Sequence, residues 1–301
     1  TARCTIDPAS PNASYICGSS TNAPTGARQT RYTHCDAVNP GAGCPLLGLL
    51  RSIDGPRTDA ADIATYEYRL ADAPGCDTSP ATCAWRKGDL WKTINALGHA
   101  TEIVAYDGAG RALESKDANG VITQFTYHPR GWLASRTVKG ATTGEDAITT
   151  FTYTPTGEVS RITPPDGDFL DYEYDDAHRL VAIEDAAGNR IEYTLDAAGN
   201  RTAETTQDAS AAVTRQLSRT YDLLNRLIEQ RGAHNQPTNF AYDANGNQTG
   251  TEDALGIQAE QHFDPLDRLR QTVQDVGGIE AQTGFEYDPL DRLTRVTDPK
   301  G

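Results

Sequence analysis

Aspartate and arginine stand four residues apart, repeatedly, along this 301-residue sequence: Asp107/Arg111, Asp175/Arg179, Asp222/Arg226, Asp264/Arg268 and Asp288/Arg292. A carboxylate held beside a guanidinium can carry acid–base chemistry in a cleft. An active site occurs once, however, and this pair returns in copy after copy. The recurrence points to structural pairing, in which the Asp orders its turn and the Arg lies across the neighbouring repeat. The sequence holds no GxSxG elbow, HExxH, P-loop or GxGxxG after a strand. The six histidines are scattered, and His128 and His178 occupy turn positions of the repeat. Asp243-Ala-Asn245-Gly-Asn247 resembles the first half of a calcium loop. Its sixth and twelfth positions are Gln248 and Ala254 rather than Gly and Glu, so it reads as a turn. No catalytic, cofactor-binding or metal-ligating residue is assigned, and no enzymatic activity is expected.

The elements that must position these pairs follow from what surrounds them. An aromatic residue precedes the Asp at Tyr106, Tyr174, Tyr221, Phe263 and Tyr287, and weaker copies stand at Tyr127, Tyr153, Leu195 and Tyr242. Successive copies are 21, 26, 21, 21, 26, 21, 21 and 24 residues apart. A hairpin of two strands and two tight turns needs roughly 20 residues. Tyr172 and Tyr174 alternate with Glu173 on one strand, Asp175–His178 is a turn, and Arg179–Glu184 returns. Asp185–Gly188 turns again, and Ile191, Tyr193 and Leu195 share a face of the next strand. Asp opens each turn by accepting the N–H two residues on. Gly110 and its counterparts close it where φ is positive, and Pro265 and Pro289 suit the second turn position. The pairs Phe125/Tyr127, Phe151/Tyr153, Tyr172/Tyr174, Phe240/Tyr242 and Phe285/Tyr287 predict a ring ladder along one face.

Such units cannot bury their own apolar face and must stack on their neighbours. The expected fold is therefore all-β, an array of antiparallel β-hairpins of about 21 residues zipped into one long curved sheet, a shell or solenoid wall. The 26-residue steps place Tyr106, Tyr174 and Tyr242 each 68 residues apart, a three-hairpin super-unit. Its longer connections, near Gly140–Thr149 and Gln207–Arg215, are expected to project from the sheet.

All six cysteines, Cys4, Cys17, Cys35, Cys44, Cys76 and Cys83, precede residue 84. An even count in a Pro/Gly/Ser/Thr-rich segment reads as disulfides formed in an oxidising compartment. Six cysteines allow 15 pairings; Cys76–Cys83 is the preferred local pair. Zinc, with His34, is the alternative, but the spacing contains no CxxC knuckle. Tyr66-Glu67-Tyr68 and Asn95–Gly98 carry traces of the repeat. The expected organisation is a cysteine-bearing segment 1–90, with loops inserted into the array, followed by the hairpin array 91–301.

The net charge of −15 belongs to the repeats. Residues 1–90 carry eight Lys/Arg against nine Asp/Glu, the remainder 19 against 33. An acidic surface disfavours nucleic acid, keeps the protein soluble and can attract a cationic partner. Hydrophobic content of 37% and mean hydropathy of −0.57 suit a sheet whose residues largely face water. No run approaches the ~20 apolar residues of a membrane span, and the first residues read as the start of a mature or excised segment.

These strings resemble the YD-repeat (Rhs) family over about residues 53–301. The family includes bacterial Rhs and polymorphic-toxin shells, the C components of insecticidal toxin complexes, and the teneurins. The resemblance implies a long β-sheet spiralling into a hollow shell, which encloses a toxic domain in the toxins and supports cell–cell recognition in the teneurins. At ~4.8 Å per strand, about 16–18 strands would give roughly 80 Å of wall. Bacterial members usually end their shell with an Asp-Pro-x-Gly-Leu signature linked to self-cleavage; here Asp298-Pro-Lys-Gly301 stops at the chain end and is equally an ordinary repeat turn. The expected role is structural, as the wall of a secreted or cell-surface shell around a toxin. The alternative is an extracellular fibre or adhesion element that binds carbohydrate or a cell surface. Expected partners are further repeats of the same or neighbouring chains, toxin cargo or a cell-surface glycan.

Overall fold

The computed structural model describes residues 2–6, 27–57, 62–232 and 234–300. It divides into two compact units, Thr1–Phe151 and Thr152–Gly301. Unit 1 holds β1 (Ala2–Ile6), β2 (Ala27–His34), β3 (Leu50–Asp54), β4 (Ile63–Tyr68), β5 (Leu90–Ile94), β6 (Ala100–Tyr106), β7 (Ala112–Lys116), β8 (Ile122–Tyr127) and β9 (Leu133–Val138). β10 (Ala147–Tyr153) carries the chain across the boundary. Unit 2 holds β11 (Val159–Thr163), β12 (Leu170–Tyr174), β13 (Leu180–Asp185), β14 (Arg190–Leu195), β15 (Arg201–Gln207), β16 (Val213–Tyr221) and β17 (Leu227–Arg231). It continues with β18 (Pro237–Tyr242), β19 (Gln248–Glu252), β20 (Gln258–Phe263), β21 (Leu269–Gln274), β22 (Ala281–Tyr287) and β23 (Leu293–Thr297). The described residues thus form 23 strands rather than 16–18, because hairpins fill the N-terminal region as well. Apart from three 3₁₀ turns they form no helix, and no helix is long and apolar enough to cross a membrane.

Within each unit every strand pairs antiparallel with the next in sequence, as β2–β3, β4–β5 and β8–β9 do in unit 1 and β12–β13, β14–β15 and β20–β21 in unit 2. The all-β hairpin array expected from the spacing is the architecture observed. Side chains on the strands are mostly half-buried. Fully buried apolar residues are few, and Cys35, Cys44, Ala73, Cys76 and Cys83 account for most of them.

A feature without a sequence signal recurs just inside the motif turn. The register slips between Glu67/Tyr68, Thr126/Tyr127, Glu173/Tyr174, Thr220/Tyr221, Ala241/Tyr242 and Glu286/Tyr287. Each slip leaves one extra residue on the return strand, such as Trp91 or Val181. Such bulges bend the strand and re-aim side chains.

The two long connections differ. Lys139–Asp146 leaves the strands and contains a 3₁₀ turn, Thr143–Glu145, closed by a Thr142/Glu145 capping box. Asp208–Ala212 is an ordinary Asp turn, with Asp208 N–H donating to Ala212 C=O at 3.0 Å. Its step is long because β15 and β16 are long, at seven and nine residues. The expectation of a projecting loop at 207–215 is therefore corrected: extra residues that can continue the ladder do so.

Candidate functional site

The chemistry-bearing side chains lie at the turns. Asp107, Asp175, Asp222, Asp264 and Asp288 each use Oδ1 to accept the N–H groups two and four residues on, at 2.8–3.1 Å. Oδ2 accepts the Nε–H of Arg111, Arg179, Arg226, Arg268 and Arg292 at 2.6–2.8 Å. One carboxylate thus fixes the whole turn. The turn ends on a left-handed residue: Gly110 at φ 79°, His178 at 62°, Asn225 at 61°, Asp267 at 60° and Asp291 at 63°. Asn, Asp and His tolerate that region better than other residues with a Cβ.

The Arg then reaches the following repeat. Nη1 of Arg179, Arg226 and Arg268 donates to the carbonyls of Asp196, Asp243 and Asp288 at 2.8, 3.0 and 3.2 Å. Arg111, Arg226 and Arg268 lie over the rings of Tyr127, Tyr242 and Tyr287, 4.5–5.0 Å from the centroids. The cross-repeat contact of these tyrosines is a guanidinium on the ring, not the ring-on-ring ladder expected from the aromatic spacing.

The tyrosine hydroxyls reach back to the same preceding hairpin as the rings. Tyr106, Tyr127, Tyr174, Tyr221, Tyr242 and Tyr287 donate to the carbonyls of Leu90, Ala112, Val159, Arg201, Leu227 and Leu269, each in the preceding hairpin. Tyr153 ends β10. Burial pushes the Tyr106 phenol up to about 12 and raises Tyr127 and Tyr174. These phenols are neutral donors. The sequence did hold a signal for this bond. In all five aromatic pairs the second member is Tyr, whereas the first is Phe in four.

A second link runs between turns. At four turns the side chain of the left-handed residue meets the residue at the Arg position of an earlier turn. His178 meets Glu158 at 2.9 Å, Asn225 meets Asn200 at 2.8 Å, Asp267 meets Asn247 at 2.8 Å and Asp291 meets Arg268 at 2.8 Å. Where it is Gly131, a Cβ would stand 3.1 Å from Arg111 Nη1, so the glycine leaves room for the arginine. Asp243 accepts the N–H of Asn245 and Asn247 and the Nδ2–H of Asn247, the bonds of a turn.

These contacts hold the carboxylates in their charged form. The Arg179 guanidinium keeps Asp175 below the ordinary aspartate value, Arg268 does the same for Asp264, and the Arg226 backbone N–H leads for Asp222. Asp107 is lowered by Arg111, although burial works against it. Thr154 and Thr156 hydroxyls hold Glu158 at about 2.

The cysteine loops are expanded versions of the same turn. Cys35 N–H donates to Leu49 C=O and Gly48 N–H to Cys35 C=O, both at 2.8 Å. Arg69 N–H donates to Asp89 C=O and Gly88 N–H to Arg69 C=O at the same distance. This is the backbone ring of Asp107–Arg111, with the intervening residues bulged out. At 69–89 the charges are exchanged, Arg in the Asp place and Asp in the Arg place. Disulfides Cys35–Cys44 and Cys76–Cys83 cross the two insertions, with Cα separations of 5.4 and 4.8 Å. The side chains of Cys4 and Cys17 lie outside the described residues.

Three segments, 106–143, 174–211 and 263–301, match the RHS Repeat family. RHS repeats thus stand in three stretches of this chain. It is 30% identical over 156 residues, 51% of its length, to Double-stranded DNA deaminase toxin A of Burkholderia cenocepacia (strain H111), of which it covers 10%. Among solved structures it is similar to TcdB2-TccC3-Cdc42, with 14% identity, 83% of this chain, 16% of that chain and a TM-score of 0.46. It is similar also to the Photorhabdus luminescens Tc holotoxin pore, with 14% identity, 90% of this chain, 18% of that chain and a TM-score of 0.45. The chain therefore spans about a tenth of the curated relative and under a fifth of each structure.

Proposed function

We propose that this RHS-repeat chain is structural, part of the wall of a secreted shell that encloses a toxin or other cargo. One observation carries the reading. Tyr, Asp and Arg recur in the same roles at successive turns: Tyr ties its hairpin to the one before, Arg to the one after, and Asp fixes the turn that carries the Arg. The relative that shares half of this chain is named as a toxin, and nine-tenths of it lies outside the matched length, which fits a repeat wall attached to separate toxic machinery. The disulfides support assembly in an oxidising compartment.

A second reading, an extracellular fibre or adhesion element, draws on the two disulfide-closed insertions, which regular walls do not need. Electron microscopy of the native protein purified from its source separates the two. Closed hollow particles are expected from the shell, and extended filaments would favour the fibre. Separate compact bodies that turn over a substrate without an attached domain would overturn both.

A further inference from the structure

The tetrapeptide Asp-Ala-Asn-Gly occurs at 117–120 and again at 243–246, and nowhere else does asparagine precede glycine. We propose that Asn119 is a site of spontaneous deamidation, and that Asp267 protects its twin, Asn245, from the same reaction. The inference does not depend on the shell reading.

Asparagine is thermolabile, and a following glycine leaves the attacking nitrogen uncrowded, because no Cβ stands beside it. The Gly120 backbone nitrogen gives its proton to solvent base and attacks Asn119 Cγ. The N–Cγ bond forms, the Cγ–Nδ2 bond breaks, and Nδ2 leaves as ammonia with a proton from water. The product is a cyclic succinimide. Water then adds to one of its two carbonyls. Opening at Cγ leaves aspartate; opening at the main-chain carbon leaves isoaspartate, with the chain running through the side chain. The sum is asparagine plus water giving the acid plus ammonia, with nothing oxidised or reduced.

The two copies share their local backbone. Asp117 Oδ1 accepts the N–H groups of Asn119 and Val121, and Asp243 Oδ1 those of Asn245 and Asn247, all at 2.9 Å. The attacking nitrogens are engaged alike: Gly120 N–H donates to Asp117 C=O at 3.0 Å and Gly246 N–H to Asp243 C=O at 3.2 Å. Both glycines are left-handed, at φ 85° and 96°, and both asparagines are exposed. The carboxamides differ. Asn245 Nδ2 donates to Asp267 Oδ1 at 2.8 Å, an oxygen that also accepts Asn247 Nδ2–H. Asp267 is the left-handed residue of the next motif turn, so this clamp comes with the link between turns. The Asn119 carboxamide has no partner among the described residues. Its turn joins β7 to β8, at the opposite ends of the strands from the motif turns. To react, the carboxamide must swing over the glycine nitrogen. A charge-assisted hydrogen bond on the leaving nitrogen opposes both the swing and the departure.

The product adds a negative charge to an already acidic array. Isoaspartate also adds a carbon to the main chain of the turn. That lengthens the ring in which Asp117 N–H donates to Val121 C=O at 3.0 Å, and it loosens the β7–β8 hairpin.

The test holds the intact protein at mildly alkaline pH and follows both tetrapeptides by peptide mapping and mass spectrometry, with electron-transfer fragments telling isoaspartate from aspartate. Asn119 should react about tenfold faster than Asn245, the ratio that one such hydrogen bond supports. In urea, where only the local sequence acts, the two rates should converge. Asp267→Gly keeps the left-handed backbone, as Gly110 does in its own turn, and removes the clamp. It should bring Asn245 up to the Asn119 rate and leave Asn119 unchanged. Equal rates in the native protein would overturn the proposal. So would a gap that persists in urea, which would trace it to the residue after the glycine, or an Asn245 rate unmoved by Asp267→Gly.

Discussion

The turn at 69–89 and the turn at 222–226 share one backbone frame and are held in opposite ways. In the second, Asp222 grips Leu224 N–H, Arg226 N–H and Arg226 Nε within five residues. In the first, Arg69 and Asp89 exchange places, the turn admits a long insertion, and a disulfide with a buried knot of Ala73, Cys76 and Cys83 does the closing. The comparison shows that the hairpin needs only the paired backbone ring and a left-handed glycine or its substitute. What fills the ring decides whether a carboxylate or a disulfide-closed insertion holds the turn, and in both an arginine still reaches the following repeat, Arg69 donating to Ile103 C=O at 2.9 Å and Arg226 to Asp243 C=O at 3.0 Å.

The largest expected effect separates the two kinds of turn. Removing one disulfide with Cys76→Ala and Cys83→Ala should cost about 2–4 kcal/mol in the local stability of the insertion. Hydrogen exchange should show the loss at 69–89. Unit 2 has no cysteine and should keep its protection.

Next come the glycines. Gly131 and Gly199 have nearly the same φ, 93° and 92°, but only Gly131 faces an arginine. Each change to Ala should cost about 1–2 kcal/mol for the left-handed backbone alone. Gly131→Ala should cost more than Gly199→Ala, by the displacement of Arg111. Equal losses in chemical denaturation would show that Arg111 does not depend on the glycine.

Smaller still is the phenol. Tyr127→Phe or Tyr242→Phe keeps the ring under its arginine and removes one hydrogen bond to the preceding repeat. A loss of about 0.5–1.5 kcal/mol each is expected. No loss would mean that the guanidinium contact alone joins the hairpins.

The gentlest probe is pH. Asp175 and Asp264 are lowered from an ordinary value of 3.8 by their arginines. Their stabilisation is present above that value and is lost as pH falls below it. Glu158, held at about 2 rather than 4.5, adds a loss spread from near 4.5 downward. Melting temperature should change little from these groups between pH 7 and 5, then decline. A protein that gained stability below pH 4 would contradict the assigned pairings.

Much of this architecture was legible because period and turn chemistry are local. Asp175–His178 and Asp185–Gly188 are the turns their residues demand, and Cys76–Cys83 is a short local closure. What could not be read depends on which repeat lies beside which. The partner of Arg179 is a carbonyl 17 residues away, and the pairing of His178 with Glu158 needs the register of two hairpins. The bulges were hidden because the extra residue, such as Trp91 or Val181, is the second of its strand, where one break in the alternation cannot be told from the end of the turn. The expected loop at 207–215 failed for a related reason, since residues such as Thr214 and Arg215 sit as readily in a strand as in a loop.

The central claim is that each motif turn holds the next repeat in place. The most direct measurement replaces Asp175, Asp222 and Asp264 together with Ala and follows amide exchange turn by turn. The account predicts lost protection at the replaced turns and also at Asp196, Asp243 and Asp288, whose carbonyls anchor the arginines, with a lower melting temperature. Unchanged melting, with exchange altered only at the three replaced turns, would contradict it.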